Sequence, residues 1–527
     1  MIIFNHHIIK MEFSSLKKLM SHSRRLAVGL LFGFLIASCS DDDQQTANSV
    51  PFDPASPVAV TSFIPESGGA QDQIIIKGKN FGNDKSRVKL TIGGKDAVIV
   101  NVKSDMLYAI VPSQAFSGEI ALTITDDSGK TYTAVSEKKF NYVAQAVVGT
   151  LCGYQNDNDS QGELWGSFDE CSGFNYEGTL AIDPLYPNRL YVCYDGGQKI
   201  AQLDLEKREA SLLMSANKFQ QHRLRNIDFS LDGKYMFVST DRDDMDTKTP
   251  SVWIVTRNSD GTFSDRSSCQ TLVSYKQCNG VAVHPVNGEI YFNSYSNGEL
   301  FRMELDDYLA TLKPDPETGD MLEWTGYLED GAFRELFKIQ DPSYEFQMVI
   351  HPSGDYAYIT VINRNYILRT DYNWSKKEFT TPYAIAGSNG QAGWVDAVGT
   401  NARVSRPYQG VFVKNPQYVA EGRADVYDYY FADCTNFCIR SLTPEGIMRT
   451  YAGHAPATDG NIWGTEDGAL RTAARFRDVT GLAYDEINEM FYVLDHNNRR
   501  VRTIGKETEE SAIETPSDNN SEEGSEE

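Results

Sequence analysis

Thr480-Gly481-Leu482-Ala483-Tyr484-Asp485, then Met490-Phe491-Tyr492-Val493-Leu494-Asp495, then His496-Asn497-Asn498-Arg499-Arg500-Val501-Arg502, is the stretch whose reading decides the fold. An apolar run, a polar turn, an aromatic-rich run, an Asp/Asn turn and a third run describe consecutive antiparallel strands. The pattern occurs five more times upstream. Its units begin near Gly178-Thr179-Leu180-Ala181-Ile182-Asp183, Arg225-Asn226-Ile227-Asp228-Phe229-Ser230, Asn279-Gly280-Val281-Ala282-Val283-His284, Gln347-Met348-Val349-Ile350-His351 and Gln409-Gly410-Val411-Phe412-Val413. Partner strands follow each, among them Leu190-Tyr191-Val192, Tyr235-Met236-Phe237-Val238 and Tyr356-Ala357-Tyr358-Ile359. Such units over about 360 residues have the period of propeller blades with loop insertions. Separate hairpins would leave too many unpaired strand edges.

The last units resemble the NHL repeat family. The residues that carry the likeness are Ala474-Arg475-Phe476, Gly481-Leu482-Ala483 and Phe491 to Arg502, with Asp433, Asn436, Ile439 and Arg440 in corresponding places of the preceding unit. The resemblance implies a six-bladed NHL-type β-propeller over 147–505. Asp433 and Asp495 are expected to close turns within blades rather than to catalyse. The segment Ala146-Val147-Val148-Gly149-Thr150 is a candidate to close the ring with the final strand.

Upstream of the propeller, 58–143 reads as short alternating strands, including Ile74-Ile75-Ile76, Val88-Lys89-Leu90-Thr91-Ile92 and Ile120-Ala121-Leu122-Thr123-Ile124, separated by Gly, Asp, Asn and Ser turns. This pattern predicts a β-sandwich. Ile64-Pro65-Glu66-Ser67-Gly68-Gly69 and Ile74 to Gly82, with Ile92-Gly93-Gly94 and Val111-Pro112, resemble the immunoglobulin-like IPT/TIG family. Phe81 can plug the sandwich end, and Asn80 and Gly82 can turn the chain after it. The resemblance implies a spacer without a ligand. The fold class expected for the whole chain is therefore all-β, an immunoglobulin-like β-sandwich followed by the propeller.

At the amino terminus, Lys17, Lys18, Arg24 and Arg25 precede the apolar run Leu26 to Ala37, too short to span a bilayer well. Ile36-Ala37-Ser38-Cys39 resembles the lipobox of bacterial lipoproteins, which implies a signal peptide over 1–38 and lipidation of Cys39. Ser40-Asp41-Asp42-Asp43 resembles the surface-export signal of lipoproteins in polysaccharide-degrading Gram-negative bacteria. The expected location is the outer membrane, lipid-anchored and facing the exterior. Residues 39–57 read as an acidic and polar linker, and 506–527, rich in Glu and Ser, as a disordered acidic tail.

Composition narrows the function. With 49 Lys and Arg against 73 Asp and Glu, the formal charge of −24 opposes phosphate-backbone binding, so nucleic acid is excluded as the main partner. The cysteines beyond Cys39 are Cys152, Cys171, Cys193, Cys269, Cys278, Cys434 and Cys438; the close spacings make Cys269/Cys278 and Cys434/Cys438 the candidate disulfides. No Cys-x-x-Cys is followed by a spaced His pair, so neither metal nor other cofactor is expected. No Gly-x-Ser-x-Gly elbow or His-Glu-x-x-His helix is visible, and no catalytic residue is assigned. His284 and His351 follow strands in Val-His-Pro and Ile-His-Pro contexts that suit turn closure.

The remaining signal is aromatic. Trp165, Trp394 and Trp463 sit in long loops preceding blade strands, with Trp374, flanked by Tyr372 and Asn373, on a different loop. Indole faces stack on sugar rings while Asp and Asn bond hydroxyls. Asn156, Asp157, Asp169, Asn389, Asp396, Asp459 and Asp467 supply that polar company. Packing between blades is the competing role for these rings. The expected function is binding of a polysaccharide or glycoconjugate by a surface lipoprotein, in the company of an outer-membrane transporter complex. The alternatives are a protein-binding adhesin or scaffold, and a propeller lyase or lactonase.

Overall fold

The computed structural model describes residues 50–112, 114–153, 163–241, 249–295, 297–324, 326, 333–339, 345–454 and 460–507. Residues 1–49, among them Cys39, together with Asn156, Asp157, Asp459 and 508–527, lie outside the described residues. Among those described, no helix is long and apolar enough to cross a membrane. The chain divides into two compact units, one ending at Val143 and the other beginning at Ala144.

The first unit is a sandwich. One sheet runs in the order Ala59–Ile64, Gln73–Lys79, Met106–Ile110, Val98–Lys103, and the other in the order Ser67–Gly68, Thr131–Tyr142, Gly118–Thr125, Val88–Ile92, Lys95–Asp96. Alternation sends Ile74, Ile76, Leu90, Ile92, Leu107, Ala109, Ile120 and Leu122 inward, all essentially inaccessible. Phe81 is fully buried, and a Cβ on Gly78 would collide with its ring and with the Ala59 carbonyl. Asn80 turns the chain at φ 60° and binds Asp53 and Ser56: its Oδ1 accepts from Asp53 N, and its Nδ2 donates to both carbonyls. Asn80 thereby ties 53–56 to the sandwich.

In the second unit the described residues form six antiparallel sheets. Their innermost strands are Gly178–Ile182, Arg223–Phe229, Val281–Val283, Phe346–Ile350, Pro407–Lys414 and Val479–Asp485, heading blades one to six. Each innermost strand touches the next, and the sixth touches the first, so the ring is closed. Blade six takes its fourth strand from the start of the unit: Ala146–Cys152 pairs with Arg500–Lys506, Ala146 opposite Lys506. Lys506 and Glu507 accordingly belong to the propeller rather than to the tail.

The core lies between blades, and period-2 alternation explains how one strand serves two interfaces. In blade one, Leu190, Val192 and Tyr194 pack with Leu494 and Val501 of blade six. The intervening Tyr191 and Cys193 pack with Met236, Val238 and Trp253 of blade two. Further clusters of this kind join blades two to three, three to four, four to five and five to six. With both faces covered, the middle strands lose the polar alternation of a one-sided sheet, which is why Tyr235 to Val238 reads as a continuous apolar run. Each fully buried side chain of this size contributes about 1.5–3 kcal/mol.

All seven described cysteines are unpaired. Neither close-spaced pair forms, for a geometric reason. Cys269 packs with the cluster between blades one and two, whereas Cys278 belongs to the cluster between blades two and three. Cys434 opens the short turn Cys434–Asn436, and Cys438 opens the strand after it, paired opposite Asp433.

Candidate functional site

Strand order assigns the loops to two faces. Links from an outermost strand to the next innermost strand, and from second to third strands, share the face where innermost strands begin. Trp165, Trp394 and Trp463 lie on links of the first kind; Trp374 follows the third strand Tyr366–Asn373 and lies on the opposite face.

Blades five and six hold their loops with one device, spelled Asp433-x-x-Asn436-x-x-x-Arg440 and Asp495-x-x-Asn498-x-x-x-Arg502. Arg440 Nη1 donates to Asp433 Oδ2 at 2.9 Å, and Arg502 repeats the contact with Asp495 at 2.9 Å. Asn436 donates to the same Asp433 oxygen and to the Gly393 carbonyl; Asn498 does so to Asp495 and the Gly464 carbonyl. Both Asp and both Arg side chains are wholly buried. Burial pushes the two carboxyls up to about 6 against the pull of their guanidinium partners. The free edge of each guanidinium then takes a loop carboxylate, Arg440 binding Asp396 at 2.8 Å and Arg502 binding Asp467. Asp396 and Asp467 thus spend much of their accepting capacity on arginine, although both remain partly open to solvent.

This scaffold positions two rings. Trp394 follows Gly393 and is 40% exposed; its Nε1 donates to Thr450 Oγ1 at 3.0 Å. The His454 imidazole stacks on it at 3.7 Å and is itself held by the Asn436 carbonyl. Trp463 precedes Gly464 and is 39% exposed, with the Arg477 guanidinium 4.7 Å from its ring centre. Trp165 differs: it packs against the cluster between blades six and one. Gly166–Ser167 pairs with the outermost strand of blade one as Gly468–Ala469 pairs with that of blade six, so Trp165 occupies the place of Asp467. Trp374 is 46% exposed, donates to Asp355 and meets Tyr372 and His284 edge-on.

On the same face as Trp394 and Trp463, the channel mouth carries charges that the sequence reading did not single out. Arg225, buried on the innermost strand of blade two, binds Asp195 at 2.7 Å, Glu345 at 3.1 Å and the Tyr408 hydroxyl at 3.4 Å, with Asp241 at 3.7 Å. Arg223 adds a two-pronged contact to Asp195. Arg406 pairs with Glu177 at 3.1 Å, and both are half-open to solvent. Burial raises the Glu177 carboxyl, but Arg406, then His496 and Arg225, outweigh it and hold the group below its ordinary value. Deeper in the channel, Gln409 accepts from Leu180 N and Leu482 N and donates to the Leu180 carbonyl, lacing three innermost strands together. The signal available in sequence was positional: Glu177, Arg225, Glu345 and Arg406 each stand at or beside the start of an innermost strand.

The histidines do not converge. His284 Nδ1 accepts from Val286 N and Asn287 N, as Asp183 and Asp485 accept at the same turn of blades one and six. His351 stands between Ser353 and Asp425 in the order of a hydrolase triad. The same nitrogen, however, accepts from Ser353 N, and the ring is enclosed by Tyr356, Phe412 and Tyr427, so it closes its turn as expected. Burial lowers His284 and His454, leaving both neutral at pH 7. Among the described residues no group of three or more His, Cys, Asp or Glu could hold a metal ion.

Residues 57–142 match the IPT/TIG domain family. No curated protein matches the chain. Among solved structures, a Bacteroides thetaiotaomicron VPI-5482 protein described as a candidate phosphatase is 48% identical, with TM-score 0.81, over 87% of this chain and 99% of its own. An auxiliary nutrient binding protein of the same organism is 38% identical, with TM-score 0.73, over 87% and 100%. A third, an auxiliary nutrient binding protein of Bacteroides ovatus ATCC 8483, is 32% identical, with TM-score 0.61, over 87% and 100%. With such identity across the whole of each relative, the chain belongs to the family of these Bacteroides proteins, and its first unit is an IPT/TIG domain.

Proposed function

We propose that this chain is a surface-anchored lipoprotein that binds a neutral polysaccharide or glycoconjugate on the mouth face of its propeller and passes it to an outer-membrane uptake complex, with the IPT/TIG domain as spacer. One observation carries the reading: Trp394 and Trp463, half-exposed, stand on successive loops of one face, each fixed by a buried Asp–Asn–Arg scaffold. Aromatic stacking supplies affinity when the ring is held in advance, because little side-chain entropy is lost on binding. On the same face as the rings, the paired carboxylates and guanidiniums at the mouth alternate acceptors with donors, which suits hydroxyl groups. The net charge of −24 disfavours polyanions. The two auxiliary nutrient binding relatives support the accessory role. Screening the soluble chain from Asp41 onward against immobilised neutral and anionic glycans tests it; capture of a neutral glycan at sub-millimolar concentration is expected, and no capture at millimolar levels sinks it.

The 48% identical relative gives a phosphatase reading its one support. A cysteine phosphatase needs a thiol that ionises readily. Burial instead pushes Cys152, Cys193, Cys269, Cys278, Cys434 and Cys438 up, Cys269 to about 12, and Cys171, which is held below the ordinary thiol value, is wholly inaccessible. Hydrolysis of p-nitrophenyl phosphate, with and without added divalent metal, separates the readings; turnover abolished by a point substitution at the mouth would replace binding with catalysis.

A further inference from the structure

Cys152 and Cys171 are the cysteines the structure brings together, though neither belonged to a close-spaced pair. Cys152 ends the strand that closes the ring in blade six, and Cys171 lies on the segment leading into blade one. They are 2% and 0% exposed within one apolar cluster. Each thiol acts on the other's ionisation and the Gly153 amide on that of Cys171, while the Cys171 Sγ–H donates to the Phe168 carbonyl at 3.7 Å. Gly153 makes this approach possible: at φ 83° it turns the chain directly after Cys152, and a Cβ there would strike the Arg499 carbonyl and the Phe174 ring. Cys193 and Cys269 share the cluster between blades one and two, and Cys278 lies in the next.

We propose that Cys152 and Cys171 are joined by a disulfide in the mature protein, a covalent clasp between the last blade and the segment entering the first. The proposal rests on the exported location of the reading above, since such bonds persist outside the cytoplasm. The oxidant is a protein disulfide of the cell envelope. One of the two thiolates attacks a sulfur of that disulfide and releases a thiolate, and the other then attacks the chain's own sulfur in the mixed disulfide and displaces the second. The chain gives up two electrons and two protons, and the oxidant leaves as a dithiol. In the closed ring Cys152 holds Cys171 below the ordinary thiol value, while burial and then its partner push Cys152 well above it. Both thiols are inaccessible in the closed ring, so exchange precedes closure.

The test uses the full chain exported by a Gram-negative host with its own leader, and the same chain made in the cytoplasm and refolded in a glutathione redox buffer. Each is denatured, alkylated without reductant, digested and mapped by mass spectrometry. The expected product is one peptide pair joined through Cys152 and Cys171, lighter by two hydrogen atoms, with the other propeller cysteines alkylated. Reduction should lower the melting temperature by about 5 °C, and Cys152→Ala/Cys171→Ala should match the reduced protein. Cross-linking in the refolded sample alone supports the pairing and counts against export. Alkylation of both cysteines in both samples, or either one joined to a different cysteine, overturns the proposal.

Discussion

Blades one and five both place an aspartate where the second strand ends, and they use it differently. In blade five, Asp433 takes its arginine from the third strand of its own blade, and the surplus guanidinium edge stiffens the loop that carries Trp394. In blade one, Asp195 takes Arg223 and Arg225 from the innermost strand of blade two, so the pair ties neighbouring blades together at the channel. The partner's position, rather than the aspartate, decides whether the ion pair serves a loop or the ring. Blades five and six therefore present rigid loops, and blades one and two a rigid mouth.

The largest expected effect comes from cutting the inter-blade pin. Arg225→Met leaves Asp195, Asp241 and Glu345 facing one another without their shared cation, and a loss of about 3–5 kcal/mol is expected by denaturant unfolding. Unfolding at the wild-type midpoint would dissolve the contrast with blade five. Arg440→Met should cost less, about 3 kcal/mol, because of its two carboxylates only the buried Asp433 is stranded while Asp396 can turn to water. It should also shift Trp394 fluorescence, which Arg225→Met should leave alone.

A pH experiment sharpens the same contrast. Burial raises Asp433, so the folded state favours its protonated form; that stability is fully present below the unfolded carboxyl value and declines as pH rises through about 6. Asp433→Asn removes this dependence. Relative to wild type, the variant should therefore gain on the order of 2 kcal/mol between about pH 4 and pH 7, read from unfolding curves at each pH. A constant difference contradicts the assignment. The smallest effects separate the rings: Trp165→Ala should cost about 1–2 kcal/mol of stability because the ring backs a core cluster, and Trp394→Ala less than about 0.5 kcal/mol.

Much of the fold was legible because blade strands advertise themselves: Gly481-Leu482-Ala483 and Phe491 to Asp495 carry strand, turn and strand in one short span. The starts read from sequence lie within a few residues of the observed innermost strands. The site was less legible for a physical reason. Arg225 meets Asp195, Glu345 and Tyr408 only once the ring brings together residues far apart in the chain, and no local pattern encodes that. The tryptophans were visible as residues but not as neighbours. Only the loop pairing reveals that Trp165 stands where blade six has Asp467. The cysteines mislead similarly, since the short spacing of Cys269 and Cys278 says nothing of the different inter-blade clusters that receive them.

The central claim is that the mouth face of blades five and six binds a neutral glycan through Trp394 and Trp463. Titrating a captured glycan into wild type, Trp394→Ala/Trp463→Ala and Trp374→Ala by isothermal calorimetry tests it most directly. One stacked ring contributes on the order of 1 kcal/mol, so the double variant should bind at least tenfold more weakly with its melting temperature kept, and Trp374→Ala, altered on the opposite face, should bind as wild type does. Unchanged affinity in the double variant, or a loss confined to Trp374→Ala, contradicts the account.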